Sequence, residues 1–216
     1  SISVWNDLVK NKAERGYRHP AMFPCALIDR LIKIFGFSRQ GPVLDPFMGS
    51  GSTLCSAYAH NLPAVGFEIS PDYIQLARQR LAEIDGKAGR YPRIIQDDSR
   101  KLGKYIQPET VSLCITSPPY WDILDRRRTA DGKKVRNYGN SLRDLSSIND
   151  YAEFLQVLQE IFLQVYAALV PGAYCIAVVM DIRKKADFFP LHMDLSLKLQ
   201  EVGFTLDDII IWDRRQ

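Results

Sequence analysis

The stretch VLDPFMGSGST, Val43–Thr53, places an apolar strand, an acid at the strand's end and a glycine turn directly before a helical pattern. In a doubly wound α/β sheet, ligands bind at the carboxyl ends of strands, where such turns sit. Gly49 and Gly51 let the backbone pass close to a ligand, and the following helix opens with N–H groups that lack intrahelical partners. Leu54 stands where a dinucleotide fingerprint needs its third glycine, and no Gly-Lys-Ser/Thr follows. Neither a GxGxxG turn nor a P-loop is therefore present. By itself the glycine pair is equally the mark of a tight strand–helix turn.

Outward from this turn, short apolar runs alternate with longer amphipathic stretches. Strands are expected at Pro42–Asp45, Ala64–Glu68, Arg93–Gln96, Val111–Thr116, Ala173–Met180 and Leu206–Trp212. Helical patterns lie between them, at Cys25–Phe35, Ser52–His60, Pro71–Ile84, Asp150–Leu169 and Leu191–Glu201. Ser70 and Asp150 stand at N-cap positions, and Pro71 suits the first turn of its helix. Val170-Pro171-Gly172 ends the long helix and leads into AYCIAVVM, a run apolar enough for a central strand buried on both faces. The alternation predicts an α/β fold with a mostly parallel sheet and helices on both faces.

The composition, 216 residues with 46% hydrophobic and 25% charged, is that of an ordinary globular chain. No apolar run approaches the ~20 residues that span a bilayer, so no membrane role is expected, and nothing at the start has the pattern of a signal peptide. Cys25, Cys55, Cys114 and Cys175 form no CxxC pair, which indicates neither a zinc site nor a disulfide framework. A reducing, cytoplasmic setting follows as the default. His60 and His192 lack partners at ligand spacing and read as structural; no metal site is predicted. Net charge is +3, but residues 122–143 alone carry +4. The polar stretch 122–149 holds Arg126, Arg127, Arg128, Lys133, Lys134 and Arg136. A basic loop of that length is either a solvated surface or a contact for a polyanion.

Asp45-Pro46-Phe47 ahead of the glycines adds specificity. With Gly49, Ser50 and Gly51 it resembles the DPFxGSGT cofactor motif of S-adenosylmethionine-dependent amino-methyltransferases of nucleic acids. Ser52 stands where that family has threonine, and Thr53 follows directly. The resemblance implies a Rossmann-like methyltransferase fold and S-adenosylmethionine as cofactor. It assigns Glu68, at the end of the second strand, to the ribose hydroxyls. Asp98 takes the adenine amino group, with Asp97 the neighbouring alternative, and Ser99 completes the family's usual Asp-Ser pair. His19 and Phe23, in HPAMFP before the first helix, match the segment that closes over the cofactor's methionine end.

The fourth strand runs into Thr116-Ser117-Pro118-Pro119-Tyr120-Trp121. Two prolines force the chain out of the sheet at its carboxyl edge, and a rigid strand stop would read the same way. In this position the SPPY form resembles the catalytic [D/N/S]PP[Y/F] motif of enzymes that methylate exocyclic amines. Such an amine is a poor nucleophile, because its lone pair is delocalised into the ring. Ser117 Oγ and the Pro118 carbonyl can accept its two hydrogens and favour a more tetrahedral nitrogen, Pro119 stiffens the turn, and Tyr120 offers a face for an extruded base. Trp121 reads equally as an extension of that wall or as a core anchor.

Among these families TSPPYW with DPFxGSGT is most similar to the cytosine-N4 DNA enzymes, including those of restriction–modification systems; adenine-N6 methylation is the alternative. Cytosine C5 chemistry would need a cysteine nucleophile downstream of the cofactor motif, and Cys25 precedes it. An RNA amino-methyltransferase, or a core that binds cofactor and DNA without turnover, are the further readings. The expected layout is one catalytic domain, 1–216, with 1–40 the cofactor-closing segment and helix. Double-stranded DNA is the expected partner, contacted by the 122–149 loop. Only 62 residues lie between Gly51 and Cys114, too few for an inserted recognition domain. The family's sheet also ends with a further antiparallel edge strand, for which no sequence remains after Gln216. A missing recognition region or partner subunit is expected to supply what is absent.

Overall fold

The computed structural model describes residues 3–17, 22–36, 41–84, 90–121, 145–184 and 186–214. His19 and the basic run Arg126–Arg136 lie outside them. Strands β2 (Val43–Asp45), β3 (Ala64–Phe67), β4 (Arg93–Ile95), β5 (Val111–Thr116) and β6 (Leu169–Ala177) form one sheet in the order β4-β3-β2-β5-β6. All four pairings are parallel. A short strand β1 (Val4–Trp5) and helix α1 (Lys12–Gly16) precede the sheet. Helices α2 (Cys25–Phe35), α3 (Ser52–Ala59) and α4 (Pro71–Ala82) accompany its first half, and α5 (Tyr151–Ala168) its second. Beyond β6 come a hairpin, β7 (Ile182–Lys184) and β8 (Asp187–Phe189), helix α6 (Leu191–Val202) and a last short strand, β9 (Ile211–Trp212).

The strand residues alternate between two cores, as a sheet covered on both faces requires. Val43, Leu113 and Ile115 pack with α2, α3 and α4, while Leu44 and Cys114 pack with α5 and α6. Helix α2 buries Leu27, Ile28, Leu31 and Ile32 at helical spacing; α5 buries Phe154, Leu158, Ile161, Phe162 and Val165. Each fully buried side chain of this size contributes roughly 1.5–3 kcal/mol through removal from water. Asp150 caps α5 by accepting from the Glu153 N–H at 2.8 Å. Ser70 occupies the N-cap of α4 without a side-chain hydrogen bond. Among the described residues no helix is long and apolar enough to cross a membrane.

Two expectations are corrected. The AYCIAVVM run is the edge of the described sheet, not its centre, and its residues are half-buried or exposed, with Tyr174 39% exposed. Its apolar character reflects contacts with both cores on its faces, while one backbone edge faces away from β5. Leu206–Trp212 does not join the sheet either. Only Ile211 and Trp212 are strand, paired in parallel with Val4 and Trp5. The N-terminal segment captures this strand: Ile211 N donates to Ser3 O at 2.7 Å, and the Trp212 indole Nε1 to Leu8 O at 3.1 Å.

Candidate active site

The carboxyl ends of β2, β3 and β5 open onto one cleft of about 820 Å3, solvent at its mouth included. On one side stand Pro46, Phe47, Met48, Gly49 and Ser50 of the glycine turn. Glu68 follows β3, Asp98 and Ser99 follow β4, and Ser117, Pro118, Pro119 and Tyr120 follow β5. Phe23 closes another side with Met22. The two motifs, more than sixty residues apart in sequence, thus meet because β2 and β5 are neighbours in the sheet.

The glycine turn is held from three directions. Phe47 N donates to Asp45 Oδ1 at 3.0 Å, the local turn that an aspartate makes two residues on. Ser99 Oγ donates to the Pro46 carbonyl. Gly49 and Gly51 have positive φ, 49° and 79°, which a β-carbon would strain; one on Gly51 would also stand 2.9 Å from Ala77 Cβ of α4. Beneath the turn, Arg80 of α4 donates to the Ser50 carbonyl at 2.6 Å and to the Ser50 and Ser52 hydroxyls at 3.2 Å. Its second nitrogen lies 4.0 Å from Glu14, and both side chains are 4% exposed. Glu14 itself accepts from the N–H groups of Asn11 and Cys25 at 2.8 and 2.7 Å. Ser52 Oγ donates to the Phe23 carbonyl at 3.0 Å, so the same brace holds the wall formed by Met22 and Phe23.

Asp45 is fully buried beneath the cleft. Its Oδ1 accepts from Thr116 Oγ1 at 2.6 Å, which ties the residue before Ser117 to the start of the glycine motif. Its Oδ2 takes no hydrogen bond from a described residue. Burial pushes its pKa up to about 6, with the Thr116 and Thr53 hydroxyls and the Phe47 N–H acting in the opposite direction. Glu68 Oε1 accepts from the N–H groups of Ile69 and Ser70 at 2.9 and 2.8 Å. Burial nevertheless pushes Glu68 up to about 7; these N–H groups and that of Gly49 hold it down, while the Asp45 charge adds to the rise. The buried Asp45 and half-buried Glu68 carboxylates interact and create a negative potential that a cationic ligand would relieve.

Asp98 lines the cleft, but its carboxylate is engaged by Arg100, whose Nη2 stands 2.5 Å away, and by the Arg100 N–H at 2.9 Å. Asp97, the alternative acid, is held by Lys101 and Tyr105 at 2.7 Å, does not line the cleft, and is kept well below the ordinary carboxylate range by these partners. Gly51 and Thr53 stand behind the cleft rather than in its wall; Thr53 Oγ1 donates to the Ile115 carbonyl at 3.3 Å. Trp121 is a core anchor, 5% exposed, with Tyr151 and Phe189 rings centred 5.1 and 4.9 Å away. His60 and His192 face Asp29 and Asp181 at 3.2 and 2.6 Å.

Sequence reading missed Glu14, Arg80, Thr116 and Leu145. Leu145, at the close of the long polar stretch, is buried in the cleft wall. Thr116 carried a legible signal, a hydroxyl at the strand end beside the SPPY turn. Arg80 carried none, being one more charge on an amphipathic helix.

The described residues fit a cationic nucleoside ligand such as S-adenosylmethionine. Glu68 and Asp98 offer oxygen acceptors for hydroxyls and an amino group. Phe23, Phe47 and Phe67 offer apolar walls, and the Asp45 and Glu68 carboxylates favour positive charge.

Residues 2–79 match the DNA methylase family model. The type II methyltransferase M.ScaI of Streptomyces caespitosus is 48% identical over 63 residues, 29% of this chain and 20% of that protein. The orphan methyltransferase M.BamHII of Bacillus amyloliquefaciens is 36% identical over 86 residues, 36% of this chain and 32% of that protein. The matched part thus spans a fifth to a third of these relatives' length. The precorrin 8W decarboxylase of Methanobacterium thermoautotrophicum superposes with a TM-score of 0.55 over 92% of this chain and 79% of that one, at 12% identity, a likeness of fold alone. The architecture is a parallel α/β sheet with helices on both faces, and residues 2–79, which hold the glycine turn and Glu68, are similar to the DNA methylase family.

Proposed function

We propose that this chain is the catalytic core of a DNA methyltransferase that transfers a methyl group from S-adenosylmethionine to the exocyclic N4 amine of a flipped-out cytosine. The observation that carries this reading is the meeting of the glycine turn, Glu68 and the SPPY turn around one cleft. When bound, the cofactor supplies a methyl group made electrophilic by its sulfonium. The chain's residues divide the remaining work. Asp45 to Ser50 shape the turn, Glu68 takes the ribose hydroxyls and Asp98 lies at the adenine end. Ser117 Oγ and the Pro118 carbonyl accept the two amine hydrogens, which frees the nitrogen lone pair for in-line attack. Tyr120 holds the base by stacking. The serine of TSPPYW favours cytosine over adenine.

Incubation with S-adenosylmethionine and unmodified genomic DNA, followed by nucleoside mass spectrometry, tests the proposal. N4-methylcytosine is the expected product. N6-methyladenine would overturn the base assignment, and no methylated nucleoside despite measured cofactor binding would overturn the activity.

Glu68 also gives a pH prediction. Its folded pKa, about 7, lies above the ordinary 4.5. The ligand-free folded state therefore holds the proton longer than the unfolded chain, and stability falls as pH rises from about 4.5 to 7. Hydroxyl donors from the cofactor favour the ionised form, so binding should release a proton. Affinity for S-adenosylmethionine should weaken by about tenfold per pH unit below 7. Calorimetry in buffers of differing ionisation heat between pH 5.5 and 8 checks this, and Glu68→Gln should remove the part of the dependence near pH 7, leaving the part near pH 6 that Asp45 carries.

A further inference from the structure

The β7–β8 hairpin stands against the SPPY turn through Trp121. Its two three-residue strands are antiparallel, with Arg183 opposite Phe188 and Lys184 opposite Asp187. A hairpin this short is not stable alone. It is held because one face packs inward: Ile182 is fully buried, Phe189 meets the Trp121 and Tyr151 rings, each at 4.9 Å, and Lys184 Nζ lies 4.1 Å over Trp121. Trp121 is the residue after Tyr120, so the hairpin is fixed one side chain away from the cleft wall.

The other face points to solvent. Phe188 is 53% exposed, and the Arg183 guanidinium lies 5.3 Å from its ring centre. Leaving a large aromatic ring in water costs hydrophobic free energy that the inward face does not require. A guanidinium beside an exposed ring is the pairing that nucleic acids engage, the cation on phosphate and the ring against sugar or an unstacked base. Positive charge here also complements a polyanion.

We propose that the outward face of this hairpin, Arg183 with Phe188, is a duplex-DNA contact beside the amine-binding turn. The inference rests on the DNA methyltransferase reading and places a site of contact on the β7–β8 hairpin. Arg183 would neutralise a backbone phosphate near the extruded nucleotide, and Phe188 would fill space opened in the stack.

Fluorescence anisotropy of the full chain with a 25-base-pair duplex, titrated between 50 and 300 mM KCl, tests it. Arg183→Ala should weaken binding about threefold to tenfold and reduce the slope of log Kd against log salt by about one. Phe188→Ala should weaken binding severalfold, with the slope unchanged. Cofactor affinity and thermal midpoint should match the parent in both variants. Unchanged DNA affinity and slope would overturn the proposal, as would an equal loss of cofactor affinity, which would mark the hairpin as structural support. A parent chain that binds S-adenosylmethionine and single-stranded RNA but no duplex would overturn the underlying reading instead.

Discussion

Replacing Ser117 with alanine should lower the single-turnover rate of methyl transfer by about 100- to 1000-fold while leaving S-adenosylmethionine affinity within about twofold of the parent. The magnitude is that of removing one pre-organised polar partner from a transition state. The selectivity comes from the geometry. Ser117 lies on the β5 side of the cleft, whereas the turn, Glu68 and Asp98 lie on the β2, β3 and β4 ends. The substitution leaves intact the Thr116 bond to Asp45 at 2.6 Å and the two prolines that set the backbone. On the proposed reading only the side-chain acceptor is lost, so the Pro118 carbonyl would hold one amine hydrogen and the nitrogen would keep more of its planar, unreactive form. Rapid-quench kinetics at saturating DNA and cofactor, with calorimetric cofactor binding alongside, separate the two effects. Equal losses in rate and affinity would mean that Ser117 belongs to the cofactor site and that the division of labour is wrong.

What could be read from sequence was set by local chemistry. The strand–acid–glycine–helix unit at 43–53 and the proline stop at 118–119 are enforced by backbone preferences, and both form as expected. Helices α2 and α5 follow from apolar spacing alone. Periodicity could not order the strands, because a buried centre and a half-buried edge can carry the same apolar run; β6 was misplaced for that reason. Leu206–Trp212 was misread because a strand-like run goes where a partner edge is available, and the available edge was Val4–Trp5. Trp121 became a core residue because Tyr151 and Phe189 converge on it from segments with no sequence mark of that contact. Asp98 was legible as a cleft residue but its clamp by Arg100, two residues on, was not.

The buried Arg80–Glu14 pair was invisible in the same way, and it carries the second large effect. Arg80→Met should destabilise the chain by about 3–5 kcal/mol, because it removes the cation 4.0 Å from the buried Glu14 carboxylate. A pair of this kind does not by itself favour folding: removing both charges with similar volume is often close to neutral. The double variant Glu14→Gln with Arg80→Met should therefore recover part of the lost stability in urea unfolding. Glutamine keeps one oxygen, which can accept from Cys25 N at the entry to α2, but its NH2 replaces the oxygen that accepts from Asn11 N. Cofactor affinity should not recover. Methionine cannot donate to the Ser50 carbonyl or to the Ser50 and Ser52 hydroxyls, and the turn that lines the cleft loses the group that fixes it from below. Binding of S-adenosylmethionine in the double variant should be about tenfold weaker than in the parent, with the methyl-transfer rate at saturation little changed, since the SPPY turn is not held by Arg80. Arg80→Lys should fall between, because one ammonium cannot both face Glu14 and keep the contacts that Nη1 makes to the Ser50 and Ser52 oxygens. Parent-like affinity in a stable double variant would show that the pair supports folding alone and that the glycine turn keeps its shape without it.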